Sequence, residues 1–260
     1  MRRLIGFFPF LFLIPIVGCD SSLLSDSARE EYSETFGFTR ATENRDNLFV
    51  GNTNGNIRLI GVDNLREVIV SGIKVVQDVT TERASERIGE IRVVVIESST
   101  SLTLRAEHPQ SSSTTSYRVE FDIHLPNSWR VTAESVNGSV AARNFAERVD
   151  ISIVNGMIDA YDIKGDLRAA TTNGAIGATV YLPEQRSCIL GTTNGSITLS
   201  IPRTTSATVS ASTVNGLISY NNLPISVFAS TPTTLSGRLG NGSATIILSA
   251  VSGTIGLVGF

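Results

Sequence analysis

The chain has 260 residues, a formal charge of −3, 41% hydrophobic residues and only 17% charged ones. That length can bury a substantial core, the near-neutral charge leaves no electrostatic footprint for nucleic acid, and the apolar fraction argues against disorder throughout. Gly supplies 22 residues beside abundant Ser, Thr and Asn, which favours β structure with many turns and argues against long helices.

At the N-terminus Arg2 and Arg3 precede an apolar run from Leu4 to Val17, interrupted by Pro9 and Pro15. A basic start, an apolar stretch shorter than the roughly 20 residues of a spanning helix, and the small Gly18 describe a secretory signal peptide over residues 1–18. Ile16-Val17-Gly18-Cys19 resembles the bacterial lipobox. That resemblance implies cleavage before Cys19, transfer of a diacylglyceryl group to its thiol with fatty acyl chains such as palmitate, and a mature chain held to a membrane of the cell envelope. The chain then faces the periplasm or the exterior, with inner and outer membrane both open. Residues 19–31 are polar without alternation and read as the lipidated cysteine and a flexible tether. Residues 32–260 read as a single domain. Cys188 is the one other cysteine, so acylation of Cys19 leaves no internal disulfide.

Tyr32–Arg40 and Leu48–Val50 read as strands. Asn-Gly then recurs at Asn54-Gly55, Asn137-Gly138, Asn155-Gly156, Asn173-Gly174, Asn194-Gly195, Asn215-Gly216 and Asn241-Gly242, with Ser252-Gly253 as a degenerate copy. From Asn137 the steps are 18, 18, 21, 21 and 26 residues. The second and fourth residues after each Gly are apolar, as in Ile57 and Leu59, Ile158 and Ala160, or Ile197 and Leu199. Such alternation marks half-buried strands, and a period near 20 residues marks stacked repeats. All these Asn-Gly pairs are candidate structural corners of a β-solenoid whose coils rise ~4.8 Å each. The alternative is an antiparallel meander or β-sandwich, in which each Asn-Gly is a type I′ hairpin turn. The shared flanks (Ser-Val-Asn, Ile-Val-Asn, Thr-Thr-Asn, Thr-Val-Asn) favour the solenoid, since independent hairpins need none.

Between Val62 and Arg130 the rhythm lapses. Arg66–Val76, Ile91–Glu97 and Leu102–Arg105 read as strands, Thr80–Ile88 as a helix stopped by Gly89, and Gln110–Ser116 as a polar loop. Val119, Phe121, Ile123 and Leu125 alternate with Glu120, Asp122 and His124.

Leu48–Ile57, Phe121–Pro126, the Thr-Asn-Gly-x-Ile strings and the closing Val251–Ile255 together resemble the putative adhesin domain of bacterial envelope proteins, a domain of unknown function related to the auto-transporter adhesin head. The resemblance spans roughly residues 32–260. It implies an all-β, solenoid-like fold outside the cytoplasm and brings no catalytic residues with it.

No Cys-x-x-Cys, His-Glu-x-x-His or Gly-x-Ser-x-Gly occurs. His108 and His124 read as surface histidines and Cys188 as a small apolar core residue, so no metal or other cofactor is expected. Asp150, Asp159, Asp162 and Asp166 could bind Ca²⁺ if coils stacked them, or serve with Arg168 in a carbohydrate-active enzyme. The Asn-Gly-Ser triplets at Asn137, Asn194 and Asn241 are corners before they are glycosylation sites. The apolar stretch 254–260 lacks a polar cap, which suggests end-on self-association. The expectation is a non-enzymatic, lipid-anchored repeat domain for adhesion or envelope interaction, its protein or glycan ligand unspecified. A sensor or accessory partner of another envelope protein is the alternative beside the enzyme.

Overall fold

The computed structural model describes residues 29–42 and 44–260. The expected signal peptide, the lipidation position Cys19 and most of the expected tether lie outside the described residues. The strands, in chain order, are β1 (Glu30–Ala41), β2 (Asn47–Asn54), β3 (Ile57–Val62), β4 (Glu67–Asp78), β5 (Arg92–Glu97), β6 (Ser101–Glu107) and β7 (Ser116–Pro126). There follow β8 (Arg130–Asn137), β9 (Val140–Phe145), β10 (Val149–Asn155), β11 (Ile158–Ile163), β12 (Leu167–Asn173), β13 (Ile176–Val180), β14 (Ser187–Asn194) and β15 (Ile197–Ile201). The last are β16 (Ala207–Asn215), β17 (Ile218–Asn221), β18 (Ser226–Thr231), β19 (Thr234–Leu239), β20 (Ala244–Ser252) and β21 (Ile255–Gly259). One helix, α1 (Thr81–Arg87), follows β4. No helix among the described residues is long and apolar enough to cross a membrane.

Two sheets form. Sheet A has the order β1-β4-β7-β3-β9-β11-β13-β15-β21-β17, and sheet B the order β18-β19-β16-β20-β14-β12-β10-β8-β2-β6-β5. A regular coil is one strand of sheet B, an Asn-Gly corner, one strand of sheet A and a turn at the far edge. Successive coils pair in parallel: Val149 lies beside Val131 and Leu167 in sheet B, and Ile158 beside Val140 and Ile176 in sheet A. This is a two-sheeted β-solenoid. The hairpin alternative fails because each corner sends its two strands into different sheets. Antiparallel pairing is confined to the two ends, in β1–β4–β7, β5–β6 and β16–β19–β18.

Alternation puts one residue in two into the space between the sheets. Ile57, Val140, Ile158, Ile176, Ile197 and Ile255 stack as one buried column from sheet A. Leu48, Val131, Val149, Leu167, Cys188, Ile246 and Val209 stack opposite from sheet B. At about 1.5–3 kcal/mol for each fully buried large aliphatic side chain, these columns are the main favourable term of the fold.

The coils do not stack in chain order. β20 lies between β14 and β16, and β21 between β15 and β17, so the last coil of the chain is inserted into the stack. Three expectations change with this. Asn241-Gly242 is not a corner: it lies in the turn between β19 and β20 at the far edge, where Ala244 N–H donates to Ser206 O at 3.0 Å. The 26-residue step to Asn241 conceals the antiparallel β18–β19 hairpin, and Ser252-Gly253 takes the corner, level with Asn194 and Asn215. The C-terminal stretch is likewise no free end, because β21 is paired on both sides.

The section between Val62 and Arg130 belongs to the stack as well. β6 and β7 flank β2 and β3 as an outer coil without an Asn-Gly corner, and β1, β4, β5 and α1 cover that end. β1 starts at Glu30, inside the segment read as tether, because the Glu30 carboxylate accepts hydrogen bonds from Thr81 N–H at 2.8 Å and Thr81 Oγ1 at 2.6 Å. Thr80 caps α1 by accepting from Arg83 N–H at 3.3 Å. Gly89 does not end the helical turn, which runs on as a 3₁₀ segment over Ile88–Glu90 so that Ile88 is buried.

Candidate functional site

The corners come first, since they fix where every outward side chain stands. At every corner but Gly216 the Gly N–H donates to the corner carbonyl of the next coil: Gly55 to Asn137, Gly138 to Asn155, Gly156 to Asn173, and Gly174 to Asn194, at 2.8–2.9 Å. Gly195 continues the series to Ser252 O and Gly253 to Asn215 O, both at 2.9 Å. The side chains form a second ladder. The Nδ2 groups of Asn137, Asn155, Asn173 and Asn194 donate to Oδ1 of Asn54, Asn137, Asn155 and Asn173 respectively, each at 2.8 Å. Asn54 closes it by donating to Tyr117 O at 3.1 Å. Glycine is required beside each rung, because a Cβ on Gly138, Gly156, Gly174 or Gly195 would lie 1.8–2.3 Å from the carbonyl oxygen of the corner glycine below. Gly216 is held to the same rule by Gly253 O at 2.0 Å. Behind the corners, Thr171, Thr192 and Thr213 hydroxyls donate to Gly156, Gly174 and Gly253 carbonyls at 3.0–3.3 Å.

On that rigid frame a groove of about 670 Å³ opens on the outer face of sheet A, and a more polar one of about 520 Å³ lies on the outer face of sheet B beside Phe49, Arg105 and Glu134. The floor of the sheet A groove follows from the register. Across the sheet Ser71, Asp122, Arg58, Ala141, Asp159 and Gly177 stand side by side on β4, β7, β3, β9, β11 and β13. Ala141 is short, so a trough opens between Arg58 and Asp159. Phe36 and Ile73 form the apolar wall. Phe36 sits over Gly72, where a Cβ would meet its ring at 2.4 Å, and its edge packs on Phe121 with ring centroids 5.8 Å apart.

The groove charges are mostly committed. Arg58 pairs with Asp122, whose hydrogen bond and charge raise the guanidinium above its ordinary range. Asp122 also lies 3.4 Å from His124 Nε2. Glu120 accepts from Asn56 N–H at 3.2 Å and pairs with Arg118 at 3.1 Å. Asp159 has no hydrogen-bond or ion-pair partner among the described residues, and it stands between Ala141 and Gly177. A smaller recess of about 230 Å³ continues the trough past Arg143 and Tyr161, with the guanidinium of Arg143 lying 5.7 Å from the Tyr161 ring centroid.

The other aspartates singled out from sequence do not converge on Asp159. Asp150 and Arg168 point outward from sheet B, on the opposite side of the molecule, and Asp150 is bound by Arg148 at 2.6 and 3.0 Å. Asp162 sits at the end of β11 at φ 55°, 3.5 Å from Lys164. Asp166 lies at the far edge. Burial would raise its carboxyl, but Arg186 and the N–H and hydroxyl of Ser187 outweigh that and hold it below the ordinary range. The acid/base arrangement of the carbohydrate-active alternative is therefore not assembled, and neither is the stacked Ca²⁺ site. No group of three or more His, Cys, Asp or Glu among the described residues could hold a metal. His108 stacks on Tyr117 with centroids 5.5 Å apart, away from His124. Cys188 is buried within its column, and burial pushes its thiol up to about 12.

The groove residues Arg58, Ser71 and Phe36 carry no motif, and only the polar alternation of Glu120 and Asp122 marked their strand as exposed on one face.

Among solved structures, a putative cell adhesion protein from Clostridium sporogenes superposes with a TM-score of 0.52 at 11% identity, covering 88% of this chain and 100% of its own. A putative adhesin from Bacteroides fragilis matches 86% of this chain and 97% of its own at 11% identity, with a TM-score of 0.33 that supports no structural argument. At this identity the first likeness speaks for the fold alone. No curated protein matches the chain. The model of the Toastrack DUF4097 family matches residues 42–257, from just after β1 to the last strand, and the chain belongs to that family.

Proposed function

We propose that this chain is a lipid-anchored protein of the bacterial cell envelope that binds a ligand rather than transforming it, and that the groove on sheet A is where it binds. The observation that carries this reading is the groove itself: an open trough on a floor of strands hydrogen-bonded on both sides, with Arg58–Asp122 and Arg118–Glu120 fixed in pairs and Asp159 left open to a ligand. Such a floor is pre-organised, so little conformational entropy is lost on binding. Asp159 also lacks the second free carboxylate of a glycosidase pair, since Asp122 and Glu120 beside it are held by Arg58 and Arg118. The lipobox-like Ile16–Cys19 supports the anchor, and the likeness to a putative cell adhesion protein from Clostridium sporogenes supports a role in surface interaction.

The test has two arms. Cys19→Ser should move the protein from the membrane fraction to the soluble one, and unchanged partitioning would overturn the anchor. With the domain immobilised, envelope fragments of the native cell should be retained at least ~10-fold less by the double variant Arg58→Ala, Asp159→Ala, a loss of about 1.4 kcal/mol. Equal retention would overturn the groove.

A further inference from the structure

An Asn side chain followed by Gly is open to attack by the next backbone nitrogen, since glycine has no side chain to hinder the approach. The attack needs two freedoms. The amide must be able to swing towards that nitrogen, and the Gly N–H must not be held in a hydrogen bond. Asn54, Asn137, Asn155, Asn173 and Asn194 have neither freedom, because their side chains are rungs of the ladder and the following glycines donate to the next coil. Asn241 is held too: its Oδ1 accepts from Ser243 N–H at 3.0 Å, and Gly242 N–H donates to Leu239 O at 3.1 Å.

Asn215 differs from all of these. It sits on the outermost coil, its one corner neighbour is Ser252, and Ser252 lacks the amide that would continue the ladder. β19 covers β16 only as far as Ser212, with Thr213 N–H and Ile218 N–H donating to Thr233 O and Pro232 O on either side. The corner between is open: the Asn215 side chain and Gly216 N–H make no hydrogen bond among the described residues, and Val214 and Leu217 beside them are 69% and 61% exposed.

We infer that Asn215 is a site of spontaneous deamidation, and that the ladder protects the five stacked asparagines from it. Gly216 N bonds to Asn215 Cγ, its proton leaves with the side-chain nitrogen as ammonia, and a cyclic imide remains. Water then opens the ring. Cleavage of the Cγ–N bond gives aspartate, and cleavage at the backbone carbonyl gives isoaspartate. Either product adds one negative charge to the exposed end of the solenoid.

The folded protein, incubated in mildly alkaline buffer and mapped by peptide mass spectrometry with isoaspartate labelling, should convert at Asn215 about tenfold or more faster than at any ladder asparagine, the factor expected if two hydrogen bonds must open there. Equal rates across the corners would overturn the inference. In urea all seven Asn-Gly pairs should convert at similar rates, and a persistent lead for Asn215 would assign its reactivity to local sequence instead. Ser252→Asn, which places an amide level with both Asn194 and Asn215, should slow conversion at Asn215, checked alongside an unchanged circular dichroism spectrum. An unchanged rate in a folded variant would refute protection by the ladder.

Discussion

A Cβ on Gly156 would stand 2.3 Å from Gly138 O and 2.6 Å from Gly138 C, both backbone atoms held by the sheets. No rotamer change relieves that contact; the two coils would have to separate, stretching the hydrogen bond from Gly138 N–H to Asn155 O at 2.9 Å. Gly156→Ala should therefore cost about 1–3 kcal/mol, the range for overpacking a close-packed interior, and lower the urea midpoint accordingly. Gly191→Ala is the control, since a Cβ there meets only Ser249 O at 4.0 Å, and its midpoint should stay near that of the native chain. The corner glycines were legible because their need is local and recurs with Asn before each of them. What was not legible is the atom each glycine avoids, which belongs to a neighbouring coil. The same holds for Arg58 and Asp122: the pair spans 64 positions, and nothing in either local sequence points to the other.

At the scale of elements, the end formed by β1, β4 and α1 depends on one buried carboxylate. Asp78 is the last residue of β4 and has no exposed surface. Val79 N–H donates to it at 2.7 Å and Thr115 Oγ1 at 2.8 Å, and the guanidinium groups of Arg87 and Arg83 lie 3.1 and 3.6 Å away. The Val79 N–H, then the Thr115 hydroxyl, then the two arginines hold its carboxyl below the ordinary aspartate range, against the opposing effect of burial. A carboxyl lowered on folding contributes stability that is fully present above the unfolded value, about 3.9, and is lost as the pH falls through the folded value. Asp78→Asn should lower the urea midpoint at neutral pH, and the gap to the native chain should narrow as the pH drops through that window. A gap that stayed constant with pH would mean Asp78 acts through shape alone. The helix itself could be read from Thr80, Ala84 and Ile88, yet its end could not, because Ile88 is drawn on into the core past Gly89.

For the whole molecule, the order of coils matters more than their number. In a simple solenoid the last repeat is an end, and removing it exposes one new face while the rest persists. Here the last coil supplies Ala244, Ile246, Leu248 and Ala250 from β20 and Ile255 and Leu257 from β21, all buried between neighbours on both sides. Its sequence shows the same apolar alternation as every other coil, so local pattern cannot say whether β20 joins β14, β16 or both; only the uneven final spacing carries a trace of the insertion. Truncation after Gly240 would thus leave β14 and β16 without their shared partner and open a gap about 4.8 Å wide, one strand spacing, through both sheets. Closing it would require the β16–β17 coil and its β18–β19 hairpin to move as a unit and re-register on β14 and β15, where Ala207 and Val209 would have to replace Ala244 and Ile246. The truncated chain should lose cooperative thermal unfolding, whereas Ser230→Gly, exposed beside the tip of the β18–β19 hairpin, should shift the transition by no more than the roughly 1 kcal/mol such a change costs. A truncated chain that still melts in one sharp step would show that the outer coil can dock on β14 directly, and that the inserted coil is dispensable to the stack.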